Sequence, residues 1–142
     1  MAEDKLHCQV ITLDGVVYDK MVSIVALPLC GGFIGIMPGN APILGSVIDG
    51  PVKCVHGGGK DYLYVSKGLL EVKDNHVNVL VSIAEHAQDI DVIRAQASLE
   101  RAQTRLKEKL TEAEKEQAQE SLARAKARLK AHEVYVNQSD VI

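Results

Sequence analysis

The sequence predicts a β + α chain, with an all-β sandwich or barrel over residues 1–87 followed by an antiparallel two-helix hairpin over residues 88–136. Two observations predict it. Through Ala87, short apolar stretches alternate with polar residues between glycine- and proline-rich turns, as in antiparallel sandwiches and barrels. From Asp89 onward glycine disappears and the apolar residues fall at helical spacing.

Leu6, Cys8 and Val10 alternate with His7 and Gln9 as a first strand, and Asp14-Gly15 is a turn signal. Val16 to Leu27 is a second apolar stretch rich in β-branched residues, ended by Pro28 and Gly31-Gly32. In Phe33-Ile34-Gly35-Ile36-Met37 the internal glycine predicts a bulge or a close backbone approach. Pro38-Gly39-Asn40-Ala41-Pro42 is a rigid turn, because proline fixes φ and glycine permits a positive one. Val52–Val55 and Tyr62–Val65 are strands joined through Gly57-Gly58-Gly59, and Leu69–Lys73 is another. Asp74-Asn75 then turns the chain into Val77, Val79, Val81 and Ile83, the cleanest alternation in the sequence.

Asp89 is placed to cap a helix, with Asp91 in its first turn, where negative charge suits the dipole. Ala95, Leu99, Ala102, Leu106 and Leu110 form one stripe, and Ala118, Leu122, Ala125 and Leu129 form a second. Thr111-Glu112-Ala113-Glu114 has the form of a capping box, so one helix is expected to end near Leu110 and the next to start near Ala113. So short a connection implies antiparallel helices. Residues 137–142 have no pattern and are expected to fray.

Composition narrows the function classes. The 142 residues are 46% hydrophobic and 25% charged, as in globular proteins. A net charge of −3 argues against general nucleic-acid binding, which needs a basic face. Cys8, Cys30 and Cys54 are odd in number and widely spaced, which predicts reduced thiols in a cytosolic compartment. No apolar run approaches the roughly 18 residues of a membrane span. The N-terminal residues lack the basic-then-apolar order of a signal peptide. Gly57-Gly58-Gly59-Lys60 fails as a phosphate loop, because Cys54 stands where its first glycine belongs and Asp61 where Ser or Thr follows the lysine. The five histidines show no metal-ligand spacing, and no nucleophile elbow is present. The expectation is a non-catalytic protein with no metal site.

The arginines carry more information. Arg94 and Arg101 share a helix face, and Arg124 and Arg128 are i, i+4 neighbours on the second helix. In a hairpin turning near residues 111–112, Arg94 lies level with the neighbourhood of Arg128, and Arg101 with that of Arg124. Four converging guanidiniums repel one another unless an anion sits between them, and the guanidinium fork suits phosphate. Glu85 and Asp91 lie near that end, where they could orient the donors or accept from a base or ribose. A solvated mixed-charge helix face is the alternative. Residues 121–131 also carry Arg124, Lys126, Arg128 and Lys130 with no acid, a surface that fits an acidic partner if the hairpin opens.

With these elements in place, the chain resembles the epsilon subunits of bacterial F-type ATP synthases over about residues 5–133. Gly35-Ile36-Met37-Pro38-Gly39-Asn40-Ala41-Pro42 matches that family's turn, with Asn40 in place of the usual His, and Gly68-Leu69-Leu70-Glu71-Val72 matches a second segment. Ile90-Asp91-x-x-Arg94-Ala95 matches the ATP-binding motif of nucleotide-binding members, and Glu85, Arg101, Arg124 and Arg128 fall at positions those members use. The resemblance implies a sandwich of about ten strands that docks on the gamma subunit and the membrane-embedded c-subunit ring. It implies a central-stalk subunit at the cytoplasmic face of the cell membrane. It further implies a hairpin that lies folded on the sandwich or extends toward the catalytic alpha and beta subunits. In such members the basic helix there inhibits hydrolysis, so the resemblance implies ATP as a regulatory ligand and no required cofactor.

Overall fold

The computed structural model describes residues 3–141. Ten strands come first: β1 (Leu6–Thr12), β2 (Gly15–Val22), β3 (Ile24–Leu29), β4 (Gly32–Ile36), β5 (Ile43–Val47), β6 (Gly50–His56), β7 (Gly59–Val65), β8 (Gly68–Lys73), β9 (His76–Val81) and β10 (Ala84–His86). A 3-10 turn (Ala87–Asp89) leads into helix α1 (Val92–Arg105) and then α2 (Glu112–Asn137). The predicted β-sandwich followed by a helical hairpin is thus what the chain forms.

The strands run in the order β10-β7-β6-β3-β5-β8-β9-β1-β2, with β4 added on β3, as one sheet folded over on itself. Strands β1 and β9 pair in parallel, while the neighbouring pairs are antiparallel. The alternation of β9 is realised in full: Val77, Val79 and Val81 point inward, and His76, Asn78 and Leu80 do not. Asp74 and Asn75 both take positive φ, 50° and 62°, as a two-residue hairpin turn requires. The Asn75 side chain also accepts from the Gly39 N–H at 2.8 Å, which ties the proline-rich turn to this hairpin. The main core, including Leu6, Val10, Val25, Leu27, Ile36, Leu63, Leu70 and Val79, is built entirely from the strands.

Several local expectations are corrected. Val16–Leu27 is two strands, broken at Ser23, whose N–H and Oγ both bond the Val55 carbonyl at 2.7 and 3.0 Å. Pro28 does not end the strand but lies inside β3, opposite Phe33 of β4. Gly35 makes no bulge and pairs in regular register with Ala26. The helix cap is Asp91, not Asp89, its carboxylate accepting from the Arg94 N–H at 3.0 Å. Helix α1 ends at Arg105 rather than near Leu110, because the chain tightens there: Lys107 and Glu108 bond the carbonyls of Thr104 and Arg105, three residues back. The Thr111 cap is present as predicted, accepting from the Glu114 N–H at 3.2 Å. Its hydroxyl then donates to the Glu114 carboxylate at 2.9 Å, a variant of the reciprocal box.

The helices meet through alanine. Ala95, Ala102, Ala118 and Ala125 are buried, while Leu99, Leu106, Leu122 and Leu129 are only partly covered. Further along α2 a second face, Ala127, Ala131 and Val134, packs with Ala26, Tyr62, Tyr64, Ala87 and Ile90. Helix α2 therefore lies between the sandwich and α1. Residues 138–141 do not fray: Gln138 turns left-handed at φ 50°, and Val141 is buried in that same cluster. Ile142 lies outside the described residues.

Candidate functional site

Where β10 passes through the 3-10 turn into α1, a cleft of about 400 Å³ opens, lined by Glu85, Asp89, Ile90, Asp91, Arg94, Ala95, Ser98 and Arg128. The local sequence builds it. Ile90 and Ala95 are buried and form its floor, while Asp91 and Arg94 sit on the exposed rim of the first helical turn. Helix α2 contributes Arg128 from the opposite wall, so the level placement of Arg94 and Arg128 expected from the hairpin is met. Arg128 Nε donates to Glu85 Oε1 at 2.8 Å, and its guanidinium lies 4.9 Å from the centre of the Tyr64 ring.

Tyr64 is fully buried beneath that guanidinium, and among the described residues its hydroxyl has no hydrogen-bond partner. Burial pushes its phenol up to about 12, the positive charge of Arg128 pulling the other way. A neutral aromatic face is therefore held under the guanidinium at any physiological pH.

The four arginines do not converge as a set. Arg101 donates to Ser98 Oγ at 3.0 Å and lines an adjoining groove with Ala102, Ala118 and Ser121, touching the first cleft only through Ser98. Arg124 donates to Ser121 Oγ at 3.3 Å and faces a small cavity on the sandwich side, with Asp49, Ser66 and Glu120. The reason is axial: Arg124 and Arg128 share one face of α2 but lie a turn apart along it, so each meets a different part of the sandwich. Of the basic stretch on α2, Arg124 and Arg128 are partly buried. Lys126 and Lys130 are exposed, Lys130 lying 3.7 Å from Glu133.

Ser98 and Asp89 also line the cleft, Asp89 expected from the sequence only as a helix cap and Ser98 not expected there. Ser98 is four residues beyond Arg94 and so on the same helix face, a signal present in the sequence. Tyr64 had none, because only strand pairing sets it opposite Glu85. Among the described residues no cluster of His, Cys, Asp or Glu is arranged to hold a metal ion. No helix there is long and apolar enough to cross a membrane.

A second surface lies on the sandwich. Leu69 pairs with Leu80, Leu80 with Ile11 and Ile11 with Val16, so one cross-strand row over β8, β9, β1 and β2 is apolar. Leu69, Leu80 and Val16 are 52%, 45% and 55% exposed, which leaves that row open to solvent.

A strand-built sandwich continued by a two-helix hairpin is a known two-part architecture. Residues 5–87 match the family model described as ATP synthase, Delta/Epsilon chain, beta-sandwich domain. Residues 88–133 match the ATP synthase, Delta/Epsilon chain, long alpha-helix domain. The chain belongs to the ATP synthase delta/epsilon chain family, and the resemblance read from its motifs is borne out. It is 40% identical to the ATP synthase epsilon chain of Solibacter usitatus over 100 residues, covering 70% of this chain and 75% of that one. To the ATP synthase epsilon chain of Lawsonia intracellularis it is 38% identical over 104 residues, covering 73% and 78%. A chain of the Euglena gracilis mitochondrial ATP synthase (OSCP/F1/c-ring) has the same fold. Its TM-score is 0.78 at 19% identity, over 89% of this chain and 81% of that one.

Proposed function

We propose that this chain is the epsilon-type subunit of the central stalk of a bacterial F-type ATP synthase, without catalytic activity of its own. Its sandwich docks on the gamma subunit and the c-subunit ring, so that it helps couple ion translocation to ATP synthesis at the cytoplasmic face of the cell membrane. Family membership supports this reading, and so does the open apolar row Leu69-Leu80-Ile11-Val16, the kind of surface that marks a protein interface. Structural neighbours from an OSCP/F1/c-ring assembly and from a Tetrahymena thermophila central stalk and c-ring agree with it.

The hairpin, in this reading, senses ATP. The observation that carries it is Arg94 and Arg128 facing one cleft with Glu85, Asp91 and Ser98 as further polar groups. Two guanidiniums suit a polyphosphate, and the carboxylates suit a ribose or base. Ile90 and Ala95 supply the apolar floor. Arg101 and Arg124 join only if their side chains swing from Ser98 and Ser121. Bound ATP holds α1 and α2 on the sandwich. When ATP falls, the helices leave, and the segment with Arg124, Lys126, Arg128 and Lys130 reaches acidic parts of the alpha and beta subunits and slows hydrolysis. Calorimetric titration of the isolated protein with ATP tests this. Binding at millimolar ATP or below, without a need for Mg²⁺, is the expected result.

One observation favours a second reading, a connector that binds no nucleotide. Arg128 is already paired with Glu85 and stacked on Tyr64, which gives it a purely structural role. Silence in that titration selects it.

A further inference from the structure

The end of α2 does not point into solvent. Gln138 adopts the left-handed conformation, and the Ser139 N–H bonds the Val134 carbonyl at 3.0 Å, so the chain reverses at the helix end and crosses the sandwich. Three consecutive residues then make three different contacts. The Ser139 carbonyl accepts from the Tyr62 hydroxyl at 3.0 Å. The Asp140 carboxylate meets the Lys53 ammonium. Val141 is 8% exposed, packed in the cluster that holds Ala26 and Tyr62. A cleft of about 190 Å³ lies at this junction, walled by Ile24, Ala26, Lys53 and Val55 on the sandwich and by Asp140 and Val141 on the tail.

Lys53 is the informative residue. It is only 6% exposed, rare for a lysine, and sits between Ala26 of β3 and Tyr62 of β7. Its ammonium lies 6.0 Å from the centre of the Tyr62 ring. Covering an ammonium is unfavourable unless an anion meets it. Among the described residues its only ion-pair partner is Asp140, from outside the sandwich.

We propose that the sandwich surface around Lys53 and Tyr62 is a receptor for this chain's own segment Ser139–Val141, and that docking of the segment there latches α2 against the sandwich. This rests on reading the helices as a unit that can leave the sandwich, but not on ATP binding. That surface selects an acidic residue followed by an apolar one: the ammonium requires the acid, and the cluster with Ala26 and Tyr62 requires the valine. A latch at the far end of α2 complements the Arg128–Glu85 pair nearer its middle. The helix is held at two points, and only one of them adjoins the candidate nucleotide cleft.

Hydrogen exchange of the α2 amides in the isolated full chain, without nucleotide, tests the latch. Truncation after Gln138 and the charge reversal Asp140→Lys are each expected to speed exchange over Ala127–Val134 by about tenfold, while β9 amides stay unchanged. The milder Asp140→Asn is expected to give an intermediate effect and to reduce the acceleration that added salt causes in the natural chain, the Arg128–Glu85 pair retaining the remainder. Adding the free peptide Gln-Ser-Asp-Val-Ile to the truncated chain is expected to slow exchange again. Exchange within about twofold of the natural chain in both the truncated and the Asp140→Lys proteins would overturn the proposal. So would recovery with a Gln-Ser-Lys-Val-Ile peptide equal to that with the acidic one. Because no nucleotide enters the experiment, a failed ATP titration leaves its outcome independent.

Discussion

Arg128 donates from Nε to Glu85 Oε1 at 2.8 Å, joining the middle of α2 to the last strand of the sandwich. Both side chains are partly covered, 27% and 35% exposed, so the pair is screened less than a surface bridge. The same guanidinium lines the candidate cleft, so one residue serves both the docking of the helix and the binding of an anion.

Arg94 and Arg128 are therefore expected to behave differently when removed. A hydrogen bond to a charged group contributes roughly 1.5–3 kcal/mol, so Arg94→Ala and Arg128→Ala should each weaken ATP binding on the order of tenfold or more. Arg94 is exposed and unpaired among the described residues, so its loss should leave thermal stability unchanged. Arg128→Ala should also lower the melting temperature, because it strands Glu85 and uncovers Tyr64. Calorimetry and a thermal melt on the same two proteins separate the effects.

The β-domain should fold without the helices. Its main core contains no helical residue. A chain ending at Ala87 is expected to keep a β-type circular dichroism spectrum and a cooperative melt, somewhat destabilised because Tyr62, Tyr64 and Ala26 lose the cover of α2. In the assembled enzyme, removing residues beyond Gln88 is expected to raise ATP hydrolysis and leave assembly intact. Unchanged hydrolysis at both low and high ATP would remove the regulatory part of the proposed function.

Asp61 is a hub on the sandwich. It accepts from the Tyr18 hydroxyl at 2.6 Å, from Lys20 Nζ at 3.0 Å and from His56 Nε2 at 3.0 Å. The Gly58 N–H donates to His56 Nδ1 at 3.1 Å, which leaves the His56 proton on Nε2. Burial pushes the Asp61 carboxyl up, but the bonds from Tyr18 and Lys20 outweigh it, and it lies below its ordinary value. A depressed carboxyl stabilises the fold above the ordinary carboxylate range, about pH 4, and that contribution is lost as pH falls through the folded-state value. Asp61→Ala also leaves the buried Tyr18 phenol without an acceptor, and should cost about 1–3 kcal/mol at pH 7. Urea unfolding at pH 7 and pH 3 should show the gap between the two proteins narrowing in acid.

Gly68 is required by space. A Cβ there would meet the Leu80 carbonyl oxygen at 2.0 Å and Val81 Cα at 2.9 Å, both backbone atoms that cannot yield. Gly68→Ala should destabilise by about 1–3 kcal/mol, the usual cost of overpacking, with β8 and β9 amides the first to lose exchange protection.

The sequence by itself determined the elements whose signals are local. Val77, Val79 and Val81 alternate because one face of β9 is buried, and a period of two survives in any register. Asp74-Asn75 and Thr111 state their turn and cap through side-chain chemistry confined to a few residues. The motif residues Ile90, Asp91, Arg94 and Ala95 cluster at the capped N-terminus of one helix, so their grouping was equally legible. Tertiary structure alone decided what lies across from them. Arg128 reaches the cleft while Arg124, one turn earlier on the same face of α2, meets Asp49 and Ser66, because packing of Ala127, Ala131 and Val134 fixes how far along the sandwich each turn of the helix lies. Pro28 stays within β3 because neighbouring strands hold it there. Residues 138–141, without any periodicity, are ordered because a buried lysine 87 residues before Asp140, a tyrosine hydroxyl 77 residues before Ser139 and the apolar cluster around Ala26 hold them. Such contacts leave no repeat in the sequence, since each depends on a single side chain meeting a distant surface.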